Sequence, residues 1–170
     1  MTSLNQSEIF LAVIQQNKGI IYKVANSYCR DPEQRQDLVQ EIVVQLWQAF
    51  KTYNGGFKHS TWIYRISLNV AISLYRKEKR RRHISNPLPE GILALTEDPV
   101  AEEREGDLYL LQQAIAQLKE LDRALMLLYL DEKSYREISQ IMGISESNVA
   151  TKIGRIKIVL RKNFTQLKER

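Results

Sequence analysis

The sequence predicts an all-α protein of two small helical domains joined by a flexible acidic linker. Apolar residues recur at spacings of three and four along most of the chain, which is typical of amphipathic helices. No stretch alternates polar and apolar residues for long enough to form a strand. Three of the four prolines are Pro87, Pro89 and Pro99, so a continuous helix cannot cross this segment.

Charge divides the 170 residues into the same three parts. Residues 1–83 carry 13 basic and 6 acidic side chains, residues 84–107 carry 1 and 7, and residues 108–170 carry 11 and 7. Two basic blocks around an acidic connector favour domains at 1–83 and 108–170 with a linker at 84–107. One domain with a long loop is the alternative.

Composition excludes several classes of protein. The longest apolar run, Ala124–Leu130, is too short to cross a bilayer, and no basic residue precedes Lys18 to begin a signal peptide. Cys29 is the single cysteine, so no internal disulfide and no cysteine-based metal site can form. We therefore expect a cytoplasmic protein without membrane insertion, metal or cofactor.

The N-terminal block predicts a bundle of three or four helices. An apolar face runs along the first helix from Phe10 to Tyr28. Asp31 as N-cap, Pro32 at the first helical position and Gln34 as capping-box partner begin the second helix.

The third helix is expected to begin near Ser60, after Gly55 and Gly56 have ended the second. The residues expected to point inward are Leu38, Ile42, Leu46 and Phe50 on the second helix and Ile63, Ile66, Val70 and Leu74 on the third. Trp62 is compatible with either a buried or a functional position.

Beyond the linker, a further apolar stripe predicts a helical segment with a kink. Two more helices are expected after it. Ser134 and Glu137 form a capping box, Gly143 ends that short helix, and Ser145 caps the last one. A short helix, a glycine turn and a longer helix are typical of a helix-turn-helix, although ordinary bundles contain the same pattern. The stripe consists of Leu108, Leu111, Ile115, Leu118, Leu121, Leu125 and Leu128.

The outer face of the last helix is suited to DNA. With Val149 placed in the core, the helical repeat of 100° turns a polar set outward and leaves Lys152 on its flank. Hydroxyl, amide and guanidinium groups can contact base edges and phosphates in a major groove; a solvated basic face is the alternative. The outward set is Ser147, Asn148, Thr151, Gly154 and Arg155.

A second basic cluster lies at the end of the third helix, downstream of several aromatic residues. Aromatic faces beside a cationic track are typical of single-strand binding, while solubility or nuclear localisation are the alternatives. The basic residues are Arg76, Lys77, Lys79, Arg80, Arg81 and Arg82, and the aromatic ones are Tyr53, Phe57, Trp62, Tyr64 and Tyr75.

Enzyme signatures are scarce in this sequence. His59 and His83 are the only histidines, and no zinc-protease, nucleophile-elbow or P-loop motif occurs. Asp37 and Glu41 lie one helical turn apart, but without histidine or further inward carboxylates nearby they indicate a solvated or partner-binding acidic face.

Four segments together resemble the extracytoplasmic-function (ECF) group of bacterial RNA polymerase sigma factors. They are residues 37–41, 60–69, the basic run 76–82 and residues 134–145, in the order and at the spacing of that family. The resemblance implies that the two domains are sigma regions two and four, that the linker lies between them, and that the protein directs polymerase to promoters and opens the minus-ten DNA.

Roles for the first domain follow from this resemblance. Asp37, Gln40 and Glu41 match the segment that docks on the clamp helices of the largest polymerase subunit. The positions that match the minus-ten strand-opening and base-capture segments, or the adjoining phosphate contacts, are Tyr53, His59, Trp62, Asn69, Arg76, Lys77, Lys79 and Arg80. Extruding a base costs a few kcal/mol, which a fitted pocket and cationic contacts can offset.

In the second domain, Thr151, Lys152 and Arg155 match the readers of the minus-thirty-five element. Ala150 stands where many members of the family have Arg or Lys, and Gly154 stands where a bulky residue is usual. Gly55–Phe57 differs from the more common Arg-Gly pattern of the base-capture loop. The resemblance also implies contact with the flap of the second-largest subunit, an anti-sigma partner and a monomer when free.

Two other functions remain as alternatives. A stand-alone helix-turn-helix regulator would bind a palindromic duplex tightly as a dimer. A small nucleic-acid enzyme in the aromatic and basic domain would act without polymerase.

Overall fold

A computed structural model describes residues 3–84 and 106–170, with side chains described for 5–81 and 106–170. Seven helices and no strand occur in these two ranges, which confirms the all-α prediction. Of the predicted linker, 84–107, residues 85–105 lie outside the described residues, and its remaining residues belong to helices. The helices are α1 (Ser3–Tyr28), α2 (Pro32–Phe50), α3 (His59–Ile84), α4 (Gly106–Ala116), α5 (Glu120–Leu130), α6 (Tyr135–Met142) and α7 (Glu146–Lys168).

Helices α1, α2 and α3 pack against one another as a bundle. The side chain of Asp31 accepts a hydrogen bond from the Gln34 amide at 3.1 Å, and Pro32 occupies the first turn of α2, which confirms the predicted N-cap and proline position. Gly55 has a φ of +76° in the loop before α3, a conformation that favours glycine.

The buried face of α3 is rotated from the predicted one. Ile63 is fully buried, but Ile66, Val70 and Leu74 are only partly buried. The helix packs against α1 and α2 on one side and against α5 and α6 on another, so its buried surface is wider than one stripe. The remaining buried α3 residues are Thr61, Trp62, Tyr64, Ser67, Leu68, Ala71 and Ile72.

Local signals define the last helices as predicted. The Glu137 amide donates to Ser134 Oγ at 3.1 Å and the Ser134 amide donates to Glu137 Oε2 at 2.9 Å, which completes the capping box of α6. Gly143 ends α6 with a φ of +70°, and Ser145 Oγ accepts the Asn148 amide at 3.1 Å to begin α7.

The predicted kink is a break between two separate helices, and it changes which leucines are buried. Leu125 and Leu128 are buried on α5. Leu121 is 46% exposed and Leu108 is 56% exposed, so their assignment to the apolar stripe is wrong. The break at 117–119 starts α5 with a new helical phase, and a stripe extrapolated from α4 therefore misplaces Leu121.

The two groups of helices are packed together. Buried residues of α1–α3 and of α5–α7 form one continuous cluster. No helix among the described residues is both long and apolar enough to span a bilayer.

Candidate nucleic-acid interface

A cavity of about 360 Å³ opens between the end of α2, the following loop and α3. It brings together Tyr53 and Asn69, which the resemblance assigns to the base pocket, and Trp62, which it assigns to strand opening. His59 does not line the cavity, but its ring centroid lies 5.3 Å from that of Tyr53. The remaining lining residues are Ala49, Thr52, Asn54, Phe57, Arg65 and Ile66.

Aromatic contacts and loop hydrogen bonds shape this cavity. The Tyr53 and Trp62 ring centroids are 4.8 Å apart with planes inclined by 40°. The Tyr53 hydroxyl donates to the Phe57 carbonyl oxygen, and the Gly56 amide donates to Asn54 Oδ1 at 2.9 Å. Ring faces and amide groups line one cavity, which is the combination that holds and reads an unstacked base.

Arg65 also lines this cavity, although no motif in the sequence predicts a role for it. Its guanidinium carbon lies 5.0 Å from the Phe57 ring centroid, and both side chains line the cavity. The signal was present, since Arg65 lies within the 60–69 segment, but only folding of the loop brings Phe57 across to it. A cation at the mouth of an aromatic cavity suits a nucleic-acid backbone.

The basic residues at the end of α3 are exposed. Arg76, Lys77, Lys79 and Arg80 all lie on the surface, and Arg82 falls outside the described side chains. Arg76 Nε lies 2.7 Å from Glu120 Oε1 of α5, in an ion pair between the two halves of the chain. This patch is available to phosphates, except where Glu120 occupies Arg76.

Helix α7 turns the predicted polar set outward. Val149, Ile153 and Ile156 are buried at 3% exposure or less, which fixes the opposite face toward solvent. The Thr151 hydroxyl donates to the Ser147 carbonyl oxygen at 3.0 Å, so its oxygen remains available as an acceptor. The exposed residues of the set are Ser147, Asn148, Thr151, Lys152, Gly154 and Arg155.

The acidic segment of α2 lies on the side of that helix away from the core. Asp37 and Gln40 are exposed, and Glu41 is partly buried and accepts a hydrogen bond from Gln45 Nε2 at 3.0 Å. Among the described residues, no group of three or more His, Cys, Asp or Glu side chains could hold a metal ion. The segment therefore presents carboxylate and amide groups to solvent.

Two family models match the chain. The model for Sigma-70 region 2 matches residues 13–81, and the model for Sigma-70, region 4 matches residues 108–159. RNA polymerase sigma factor YlaC of Bacillus subtilis is 29% identical over 140 residues, which is 81% of each chain. The ECF RNA polymerase sigma factor SigW of the same organism is 27% identical over 172 residues, covering 94% of this chain and 91% of SigW.

The chain belongs to the ECF sigma factors. As a sigma factor it directs RNA polymerase to promoters, and it is a DNA-recognition subunit rather than an enzyme. The stand-alone regulator is not favoured, because the first half of the chain matches sigma region two.

Solved structures share the fold of this ECF sigma factor. CnrH, in complex with the cytosolic domain of CnrY, has a TM-score of 0.64 and 19% identity, over 92% of this chain and 87% of the other. RpoE of Bartonella quintana, in complex with the anti-sigma factor NepR, has a TM-score of 0.67 and 19% identity, over 94% and 96%. The region-two match contains the cavity and the exposed basic patch, and the region-four match contains the polar face of α7.

Proposed function

We propose that region two of this sigma factor opens promoter DNA by holding one extruded base of the minus-ten element in the α2–α3 cavity. The observation that carries this proposal is the convergence of Tyr53, Trp62 and Asn69 on one cavity. An aromatic face stacks the base, and the exposed Asn69 amide has the donor and acceptor needed to read its edge. Unstacking costs a few kcal/mol, which these contacts and phosphate contacts offset.

The exposed basic patch at the end of α3 serves the same task. It consists of Arg76, Lys77, Lys79 and Arg80, which all lie on the surface. Cationic side chains so close together attract DNA phosphates and release the counterions bound to them. The patch holds the DNA backbone beside the opened segment while the cavity holds the base.

Region four reads the minus-thirty-five element through the polar face of α7. The support is the exposure of its hydroxyl, amide and basic side chains over a fully buried opposite face. The readers are Ser147, Asn148, Thr151, Lys152 and Arg155.

The protein partners follow from the same proposal. Asp37, Gln40 and Glu41 dock on the clamp helices of the largest polymerase subunit, and region four contacts the flap of the second-largest. Two solved neighbours are bound to CnrY and to the anti-sigma factor NepR, so an anti-sigma partner is proposed here too. The chain acts in the cytoplasm and is a monomer when free.

Asn69→Ala tests base capture without disturbing the core, because Asn69 is exposed. We expect run-off transcription with polymerase core to fall, and permanganate reactivity of the opened thymines to fall with it, at unchanged closed-complex formation. The matched control is Asn26→Ala, an exposed asparagine on α1 that does not line the cavity. Equal strand opening by both variants would remove Asn69 from the base pocket.

A further inference from the structure

The base-capture loop, residues 51–58 between α2 and α3, is closed on itself by two hydrogen bonds. The Gly56 amide donates to Asn54 Oδ1 at 2.9 Å, and the Tyr53 hydroxyl donates to the carbonyl oxygen of Phe57. The first bond closes an Asx turn across Gly55. The second joins Tyr53 to Phe57, so the three residues between them are held in one closed turn.

The Tyr53 ring, which carries that hydroxyl, is itself fixed by the helices. Its centroid lies 4.8 Å from that of Trp62, and 6.4 Å from that of Phe50 in a stacked arrangement with planes inclined by 13°. Trp62 is only 8% exposed, and the Tyr53 amide donates to the Phe50 carbonyl oxygen at 3.3 Å. The hydroxyl is therefore placed by contacts with α2 and α3, and its hydrogen bond ties the far end of the loop to the helical core.

The Phe57 ring is oriented from α3 by Arg65. Phe57 is 37% exposed, and its ring lines the base cavity. The guanidinium carbon of Arg65 lies 5.0 Å from the ring centroid. Arg65 Nη1 donates to the Gln140 carbonyl oxygen at 3.0 Å, so an edge of the guanidinium is used there and its face is left for the ring. An exposed ring on a loop is free to rotate unless a contact such as this one restrains it.

We propose that the base-capture loop is held in its base-binding form before DNA arrives, and that the Tyr53 hydroxyl and Arg65 are positioning groups that act through Phe57. The inference rests on the proposed capture of a base in the α2–α3 cavity. Tyr53 fixes the backbone at Phe57 and Arg65 fixes the ring, so the aromatic wall of the cavity is complete without a ligand. Because the loop need not be ordered on binding, the stacking of the captured base is not offset by a loss of loop entropy.

A positioning role differs from a phosphate contact in what it changes. A phosphate contact strengthens the binding of a strand whether or not the captured base is present. Positioning of Phe57 strengthens only the binding of a strand that offers a base to the cavity. The two roles are separated by the base-capture ratio, defined as the affinity for an intact strand divided by the affinity for a strand that is abasic at the captured position.

This ratio is measured with holoenzyme assembled from polymerase core and the full chain. The probe is a fluorescein-labelled non-template strand with the minus-ten element of a promoter that the unaltered chain transcribes. The same strand is also made abasic at each position of the element in turn. We expect one abasic position to weaken binding by the unaltered chain about tenfold, the loss typical of one stacked base. That position defines the ratio for every variant.

Tyr53→Phe removes the hydroxyl and keeps the ring, whereas Arg65→Lys keeps the charge and removes the planar group that stacks on Phe57. We expect each change to lower the base-capture ratio about threefold, the effect of one lost hydrogen bond or cation–π contact, at unchanged affinity for the abasic strand. The matched controls are Tyr22→Phe on α1 and Arg161→Lys on α7, which change exposed residues that do not line the cavity. Both controls should leave the ratio unchanged.

An unchanged ratio in Tyr53→Phe or in Arg65→Lys would overturn the proposal, as would an equal loss of affinity for the intact and the abasic strand. Should no abasic position weaken binding by the unaltered chain, the proposed base capture itself would fail. The two failures are distinct, because the unaltered chain tests capture and the variants test positioning.

Amide exchange in the free chain tests the preformed loop without polymerase or DNA. The Gly56 amide is bonded to Asn54 Oδ1 only while the loop keeps its closed turn. We expect this amide to exchange with deuterium about threefold more slowly in the unaltered chain than in Tyr53→Phe, and at the same rate in the unaltered chain and in Tyr22→Phe. Nuclear magnetic resonance measures these rates, and equal rates in all three chains would overturn the proposal even where the cavity captures a base.

Discussion

Trp62 and Asn69 line the same cavity, but their burial gives them different roles. Trp62 is only 8% exposed and contacts the Phe50 and Tyr53 rings, with centroids 6.1 Å and 4.8 Å away. Asn69 is exposed and supports no core contact of that kind. At the scale of single residues, the buried Trp62 therefore stabilises the cavity wall, and the exposed Asn69 presents polar groups to the cavity.

Trp62→Ala should therefore lower the stability of the whole protein. Removing a buried tryptophan leaves a cavity and costs about 3–5 kcal/mol of the free energy of unfolding. Urea denaturation followed by circular dichroism measures this loss. Tyr22→Ala, which truncates an aromatic residue that is 52% exposed, serves as the control and should change stability by about 0.5 kcal/mol or less. A loss for Trp62→Ala no larger than that of the control would contradict the structural role.

Gly154→Ala should stabilise the protein. Gly154 is an exposed residue in the middle of α7, and a Cβ atom there would meet nothing within 4 Å. Alanine in a helix interior is favoured over glycine by about 0.5–1 kcal/mol. Thermal unfolding should show a higher Tm, and Gly19→Ala in α1, with equally open surroundings, should give a similar gain. Gly143→Ala is the opposite case, because a φ of +70° strains any residue with a Cβ. A lower Tm for Gly154→Ala would show that α7 has a constraint at this position.

At the scale of helices, α7 is organised by its two faces. Val149, Ile153 and Ile156 anchor it in the core, and this anchoring orients the polar residues between them toward solvent. The N-cap Ser145 and the left-handed turn at Gly143 set where α7 begins relative to α6. The position of each outward-facing polar side chain thus follows from packing on the opposite side of the same helix.

Arg155→Ala should weaken or relax recognition of the minus-thirty-five element. If the guanidinium contacts a base, the loss is about 1–3 kcal/mol and affects one position of the element more than the others. Selection from a randomised promoter library by the polymerase holoenzyme measures that preference. Arg161→Ala removes an exposed arginine further along α7 and is the control. An unchanged preference for Arg155→Ala would identify Arg155 as a solvated side chain.

At the scale of the whole molecule, two carboxyl groups make the closed packing, in which α5 lies against α1 and α3, depend on pH. A hydrogen bond from Arg76, with the backbone of Glu120 itself and the charge of Lys79, holds the pKa of the Glu120 carboxyl below its ordinary value of 4.5. Burial raises the pKa of the Asp131 carboxyl, but hydrogen bonds from Lys23 and Tyr64 and the charge of Lys133 outweigh it, so the net pKa lies below 3.8. Both carboxyl groups bind protons less readily in the closed chain than when the halves are apart.

The closed packing should therefore be lost on acidification and stay intact at neutral pH. A lowered pKa stabilises the closed chain above the ordinary pKa values, and this contribution disappears as the pH falls through the lowered ones. We expect the radius of gyration to stay constant above about pH 5 and to rise below about pH 4, before helix content falls. Scattering and circular dichroism on the same samples separate opening from unfolding. Expansion that begins between about pH 7 and pH 9 would contradict the assignment to Glu120 and Asp131.

Short-range chemistry made much of the fold predictable. The cap at Asp31–Pro32, the Ser134–Glu137 capping box and the left-handed turn at Gly143 each involve residues within a few positions of one another. Their interactions form wherever the surrounding chain goes, so the residue pattern is sufficient to predict them. The same holds for the outward face of α7, because the helical repeat determines it once Val149 is buried.

Contacts between distant segments were not predictable in this way. The chain by itself determined the helices, their caps and the polar face of α7, because these depend on near neighbours and on helical periodicity. Only the tertiary structure decided that Arg65 and Phe57 share a cavity, that Leu121 is exposed, and that Arg123 is buried against two tyrosine rings. The physical reason is that burial and pairing of such groups depend on which helices pack together, and these helices are far apart in the sequence. Local propensity contains no information on that packing.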